Sequence, residues 1–189
     1  MVIIAPFDIC INLQFLKILV LGLGYVGTAN AVLLAQHNDV VCYDLNQDRI
    51  QQINSKISPI EDREVSEYLA EKKLSLKGVD QFPSSKQFDF VVIATPTNYD
   101  PDTNYFDTSS VESCIKQLDQ INSKATVIIR STLPVGFVEG IQNKYPKQEI
   151  IFVPEFLREG RALHDTPFGQ QKLTKLTLDR GCEHMVPVQ

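Results

Sequence analysis

The segment Lys17-Ile-Leu-Val-Leu-Gly22-Leu-Gly24-Tyr-Val-Gly27 constrains the fold more than any other part of this chain. An apolar, strand-like run breaks into Gly-x-Gly-x-x-Gly and continues into helix-compatible sequence. That order of strand, tight turn and helix opens a βαβ unit able to take a dinucleotide. Gly22 permits the turn, Gly24 lets the backbone approach a pyrophosphate, and Gly27 lets the helix pack closely on the sheet. The free N–H groups of the helix N-terminus then face the phosphates.

A second apolar run, Asp39-Val-Val-Cys-Tyr-Asp44, ends in an acid about 20 positions beyond the first glycine, where the fingerprint expects a ribose-binding carboxylate. Asp44 accepts the adenosine 2′-hydroxyl on this reading and repels a 2′-phosphate, which favours NAD over NADP. The plainer alternative is a solvated strand-end or helix-capping carboxylate.

With 189 residues, 43% hydrophobic and 22% charged, the chain has globular proportions and length for one cored domain. A net charge of −5 without a lysine or arginine block argues against nucleic acid or an anionic membrane as partner. Cys10, Cys42, Cys114 and Cys182 form no C-x-x-C pair, and His37, His164 and His184 lack metal-ligand spacing, so no metal is expected and the thiols read as reduced packing residues. The sequence has no apolar run of transmembrane length and reads as cytoplasmic. Residues 1–15 begin apolar but lack a basic start and a cleavage-site pattern, so they read as an extension rather than a signal peptide.

Helical patterns follow over about Gln47–Ser55 and Glu61–Lys72, with Ser58-Pro59 between them. Strand-like runs recur at Phe88–Ala94, Ala125–Arg130 and Glu149–Val153, separated by helical segments at about Ser109–Ile121 and Gly136–Tyr145. Such alternation predicts an α/β, Rossmann-type doubly wound parallel sheet covered on both faces. The last three strands close on Ala94-Thr95-Pro96-Thr97-Asn98, Ser131-Thr132-Leu133-Pro134 and Val153-Pro154-Glu155. Proline stops the ladder there while hydroxyls and a carboxylate project at the carboxyl edge, where open α/β sheets bind ligands. Proline as a mere strand stop and threonine as a helix cap is the other reading.

Six ordered motifs then resemble the UDP-glucose/GDP-mannose dehydrogenase family, and most closely its UDP-glucose branch. They are Gly22-Leu-Gly-Tyr-Val-Gly27, Ser58-Pro-Ile-Glu-Asp62, Ala94-Thr-Pro-Thr-Asn-Tyr99, Asn104-Tyr-Phe-Asp-Thr108, Arg130-Ser-Thr-Leu-Pro-Val-Gly-Phe137 and Pro154-Glu-Phe-Leu-Arg-Glu159. The resemblance implies oxidation of the sugar C6 alcohol of UDP-glucose to a carboxylate with two NAD⁺, through a cysteine thiohemiacetal and thioester. It assigns pyrophosphate binding to Gly22, Gly24, Tyr25, Val26 and Gly27, the ribose to Asp44 with Arg49 near the adenosine end, and the cofactor cleft to Thr95 and Thr132. Thr132 and Glu159, which the resemblance also counts among the cofactor contacts, match positions that hold water and shuttle protons near the reacting carbon, and Glu155 an acid implicated in thioester hydrolysis. A carboxylate at a water-poor cleft edge can have its proton affinity raised toward that task. Glu155, Phe156, Leu157, Arg158 and Glu159 match the loop along the nucleotide sugar, whose backbone groups matter more than its side chains. Glu155 and Glu159 as a solvated helical face with Arg158 and Arg161 is the bland alternative.

The resemblance runs over 16–165, expected to be the NAD-binding domain, and stops abruptly at 166–189, expected to be a non-matching tail. The family's long central helix, which makes homodimers, and its second domain with the nucleophilic cysteine have no match here. Cys182 lies in Arg180-Gly-Cys-Glu-His, unlike a nucleophile loop. A chain truncated from a larger two-domain enzyme is therefore expected, inactive alone and binding UDP-glucose weakly or not at all. A non-catalytic NAD-binding fragment stands as the alternative, as does the same domain from a GDP-mannose or UDP-N-acetylhexosamine enzyme.

Overall fold

The computed structural model describes residues 15–84, 88–102, 105–155 and 157–166. In chain order these form β1 (Lys17–Leu21), α1 (Tyr25–Leu34), β2 (Asp39–Tyr43), α2 (Gln47–Asn54), α3 (Arg63–Glu71), β3 (Leu76–Val79) and β4 (Phe90–Ile93). There follow β5 (Asn98–Asp100), β6 (Tyr105–Asp107), α4 (Ser109–Gln120), β7 (Thr126–Ile129), α5 (Phe137–Lys144), β8 (Ile150–Phe152) and α6 (Ala162–Asp165).

Six strands make one parallel sheet in the order β3-β2-β1-β4-β7-β8. Side chains of a strand alternate between faces, and the apolar run of β1 supplies both. Ile18 and Val20 join α1, α2, α3 and α6 through Ala29, Val32, Ile50, Ile53, Val65, Leu69 and Leu163. Leu19 and Leu21 join α4 and α5 through Val111, Ile115, Leu118 and Ile141 on the other face. This is the doubly wound Rossmann-type sheet that the strand–helix alternation predicts.

Four elements go beyond the sequence expectation: β3, the β5–β6 pair and α6. Strand β3, Leu-Lys-Gly-Val, is too short and too polar to announce itself. It is held by pairing with β2 and by the Asn54 side chain, which accepts from Gly78 N at 2.8 Å and donates to Gly78 O at 3.0 Å. One amide thus satisfies backbone groups that an edge strand leaves open. The antiparallel hairpin β5–β6 has exposed residues throughout β5, so no buried face patterns its sequence. Helix α6 is a single turn, yet Ala162, Leu163 and Thr166 are buried.

Asp62 explains how that late turn is fastened. Its Oδ1 accepts from Val65 N at 3.1 Å, capping α3, while Oδ2 accepts from Leu163 N at 3.3 Å across 101 residues. The residue is 4% exposed, so neither bond is replaced by water if lost. Asp62→Ala is expected to lower the unfolding free energy in urea by about 2 kcal/mol, the scale of a lost cap plus an orphaned buried amide. Asp62→Asn, which keeps one acceptor, should lose less; a loss below about 0.5 kcal/mol for the alanine variant, the scale of an ordinary surface substitution, would show that this contact does not fasten α6.

Candidate functional site

All six main strands run parallel, so their following loops share one edge. Gly22 follows β1, Asp44 follows β2, Thr95 follows β4, Thr132 follows β7 and Glu155 follows β8. The sheet is wound outward in both directions from the β1–β4 pair, and the crevice at such a switch is where open α/β sheets take ligands.

The three glycines differ in what surrounds them. Gly22 has φ +96°, and a Cβ on it would lie 2.5 Å from the carbonyl oxygen of Ala94. A Cβ on Gly27 would overlap the carbonyl oxygen of Gly22. At Gly24 a Cβ would meet nothing within 4 Å, so the fold itself leaves room for a side chain there. Gly24 is the N-cap of α1 and supplies no side-chain cap, which leaves the first amides of the helix available to an anion. Two glycines demanded by packing, with one demanded only if a ligand comes close, is the arrangement a pyrophosphate cradle needs.

Asp44 is tied into the same turn. Leu23 N donates to its Oδ2 at 2.6 Å and Asn46 N to its Oδ1 at 2.8 Å, while Arg49 Nη1 lies 3.6 Å from Oδ2. Its side chain is only 11% exposed. The carboxylate therefore braces the glycine turn and stands beside a cation. On the β4 side, Ser131 Oγ donates to the Thr95 carbonyl at 2.7 Å, and Thr95 N would be 3.0 Å from a Cβ on Gly22. Gly22, Leu23, Asp44 and Thr95 are thus one contiguous group; Tyr25 and Val26, partly buried, begin α1 beside them.

Beyond Thr95 the picture is ionic. Arg130, at the end of β7, pairs with Glu155, and their side chains are 0% and 8% exposed. Burial pushes the Arg130 guanidinium below its ordinary value. Glu155 is thus nearly shut off from water, and the group it faces is a guanidinium. Residues 153–155, 157 and 158 are not helical, so Glu155 and Glu159 do not share a helix face. Arg158 instead forms a fork with Asp165: Nε donates to Oδ2 at 3.0 Å, Nη2 to Oδ1 at 2.9 Å, and its backbone N to Oδ2 at 3.1 Å. Glu159 is exposed on the turn enclosed by that fork, Leu157 packs against the core, and Thr132 is exposed just past Ser131. Phe156 lies outside the described residues.

The sequence gives Arg130, Asp165 and Ser131 no individual role, although Arg130 and Ser131 stand in its motifs. An arginine directly after Thr-Val-Ile-Ile is a usable signal, because a charge ending a wholly buried strand needs a partner. Nothing local marks Asp165 as the mate of Arg158. Cys42 and Cys114 are free and buried; burial pushes the Cys114 thiol up to about 12 and Cys42 higher still, which suits packing rather than nucleophilic roles. Cys10 and Cys182 lie outside the described residues. Among the described residues there is no group of acids, histidines and cysteines able to hold a metal, and no helix is long and apolar enough to cross a membrane.

A sequence model described as the UDP-glucose/GDP-mannose dehydrogenase family, NAD binding domain, matches residues 16–173. A UDP-glucose 6-dehydrogenase of Streptococcus pneumoniae is 44% identical over 165 residues, 87% of this chain and 42% of that protein. One from Campylobacter jejuni is 43% identical over 154 residues, 80% of this chain and 39% of its own length. Among solved structures, a UDP-D-ManNAc dehydrogenase from Pyrococcus horikoshii superposes with a TM-score of 0.69 at 30% identity, covering 78% of this chain and 38% of that one. The chain spans about two fifths of the length of the curated relatives it matches.

The glycine contrast makes a paired expectation. Gly24→Val should keep the circular dichroism spectrum and melting behaviour of the unmutated chain while abolishing NADH binding by calorimetry; Gly22→Ala and Gly27→Ala should damage folding itself. Normal NADH affinity in a folded Gly24→Val chain would make Gly24 a turn residue only. The Arg158 fork, first through its side-chain hydrogen bonds, holds the Asp165 carboxyl well below the usual carboxylate range. Its folded-state value being lowered, the stabilisation is complete above the unfolded value near about 4 and fades as pH falls below it. Urea titrations from neutral pH down through this window should show a shallower acid loss for Asp165→Asn than for the unmutated chain; equal slopes would mean the fork does not contribute.

Proposed function

From membership in the UDP-glucose/GDP-mannose dehydrogenase family, to which this chain belongs, we propose that it is the cofactor half of an enzyme that oxidises UDP-glucose to UDP-glucuronate. The observation that carries the cofactor part is the contrast between the closed glycines 22 and 27 and the open Gly24 beside Asp44. The 44% identity supports the UDP-glucose choice within the family. NAD⁺ bound here would supply a hydride acceptor, used twice per sugar with one water added.

The chain's own residues divide that work. Gly22, Gly24, Tyr25, Val26 and Gly27 receive the pyrophosphate, Asp44 takes the ribose hydroxyls, and Arg49 stands at the adenosine end. Thr95 borders the cofactor cleft. Thr132 and Glu159, both solvent-accessible, hold water and pass protons, and Glu155 serves the hydrolytic step from its seat against Arg130. Glu155, Phe156, Leu157, Arg158 and Glu159 line the sugar nucleotide, with the Arg158–Asp165 fork setting the loop's shape. We assign the domain to 16–165, a range supported by the burial of Ala162 and Leu163. Its relatives of full length would pair as homodimers, and the buried unpaired thiols suit a cytoplasmic setting.

A second reading, an NAD-binding unit without turnover of its own, is favoured by one observation: both described cysteines are buried and poorly acidic. The two readings are separated by experiment. Calorimetry should show NADH binding more tightly than NADPH, with Asp44→Ala narrowing the gap by about 1.5–3 kcal/mol, the worth of a hydrogen bond to a charged group. Equal affinity for both in the unmutated chain would sink the Asp44 assignment. With UDP-glucose and saturating NAD⁺ this chain should give no steady rise in NADH absorbance; sustained turnover would overturn the second reading.

A further inference from the structure

The hydroxyls around Thr95 have a fixed polarity. Ser110, the second residue of α4, places its Oγ 2.7 Å from the Pro96 carbonyl oxygen and 3.0 Å from Thr95 Oγ1. A serine hydroxyl has one proton and a carbonyl oxygen has none, so the shorter contact takes the Ser110 proton. The Thr95–Ser110 contact then requires Thr95 to donate. Its own proton is committed away from any ligand, and only lone pairs are left to offer. The Thr95 main chain is meanwhile fastened by Ser131, which donates to its carbonyl oxygen at 2.7 Å.

The place of Thr95 says which part of a dinucleotide it meets. Gly24 and the start of α1 receive the pyrophosphate, and Asp44 on the β2 side takes the first ribose. Strand β4 is the neighbour of β1 on the opposite side, about 5 Å away. The second nucleoside therefore extends over β4 and its Thr95 loop. We infer that Ser110 is a positioning residue that presents Thr95 as a hydrogen-bond acceptor for a sugar hydroxyl of the second nucleoside of NAD. A ribose hydroxyl can donate to such an atom; a phosphate or carboxylate oxygen cannot. This inference rests on the dinucleotide reading of the glycine turn.

The test compares ligands that contain the second ribose with ligands that lack it, by calorimetry on the full chain. Ser110→Ala frees the Thr95 hydroxyl to rotate and should weaken NADH and ADP-ribose by about three- to tenfold, the range of one neutral hydrogen bond. AMP and ADP should keep their affinity, and Ser110→Thr, which retains the hydroxyl, should restore that of NADH. Thr95→Val should match the Ser110→Ala loss, and the double variant should be no worse than Thr95→Val alone, because the two residues act as one unit. Equal weakening of AMP and NADH, or losses that multiply in the double variant, would overturn the inference and leave Ser110 a loop anchor. An unmutated chain that binds none of the four ligands would instead overturn the dinucleotide reading on which it rests.

Discussion

A side chain at Gly27 would overlap the carbonyl oxygen of Gly22, and so α1 can lie against the turn that follows β1 only because position 27 is bare. That approach brings the amino end of α1 to the carboxyl edge of the sheet. Gly22 in turn needs its positive φ and its missing Cβ, since it presses against the Ala94 carbonyl at the end of β4. The loops after β1 and β4 are thereby drawn together across the switch in strand order. Asp44 completes the clasp from the β2 side through Leu23 N. Three neighbouring strands converge on a helix terminus with unused amides, and anion binding is the chemistry such a terminus offers.

The far side of the edge is held by charges. Arg130 and Glu155 join the ends of β7 and β8 with almost no exposure, and a guanidinium there has lost its water. Removing one partner of a buried pair strands the other, at about 3–5 kcal/mol. The Arg158–Asp165 fork is more exposed and serves geometry more than stability. It closes the turn carrying Glu159 into a loop whose far end is sealed by Leu163 and Asp62. The glycine side of the crevice thus owes its form to close backbone packing, and the β8 side to ion pairs.

Those two sorts of constraint were not equally legible. Glycine spacing, strand runs and proline-stopped loops are written in contiguous residues, so the sheet, its winding and the glycine turn between β1 and α1 could be read directly. Asp44 could be read as a ribose acid, whereas its grip on Leu23 joins positions 21 apart and depends on the turn already being made. Strand β3 escaped notice because its stability comes from β2 and Asn54 rather than from its own four residues. The partners of Glu155 and Arg158 were hidden for a related reason: a carboxylate and a guanidinium say nothing in sequence about which of several opposite charges the fold will set beside them. Phe156, expected along the sugar nucleotide, lies outside the described residues.

The most direct test of a cradle formed by the α1 terminus and the glycine turn is a heteronuclear NMR titration of this chain with NADH. The account predicts that the amide signals of Leu23, Gly24, Tyr25 and Val26 move first and saturably, followed by those of Asp44 and Thr95. Signals from β3 and the α3 face should stay still. Saturable shifts centred away from the Gly22–Gly27 turn, or no shifts in that turn at a concentration where calorimetry detects binding, would contradict it.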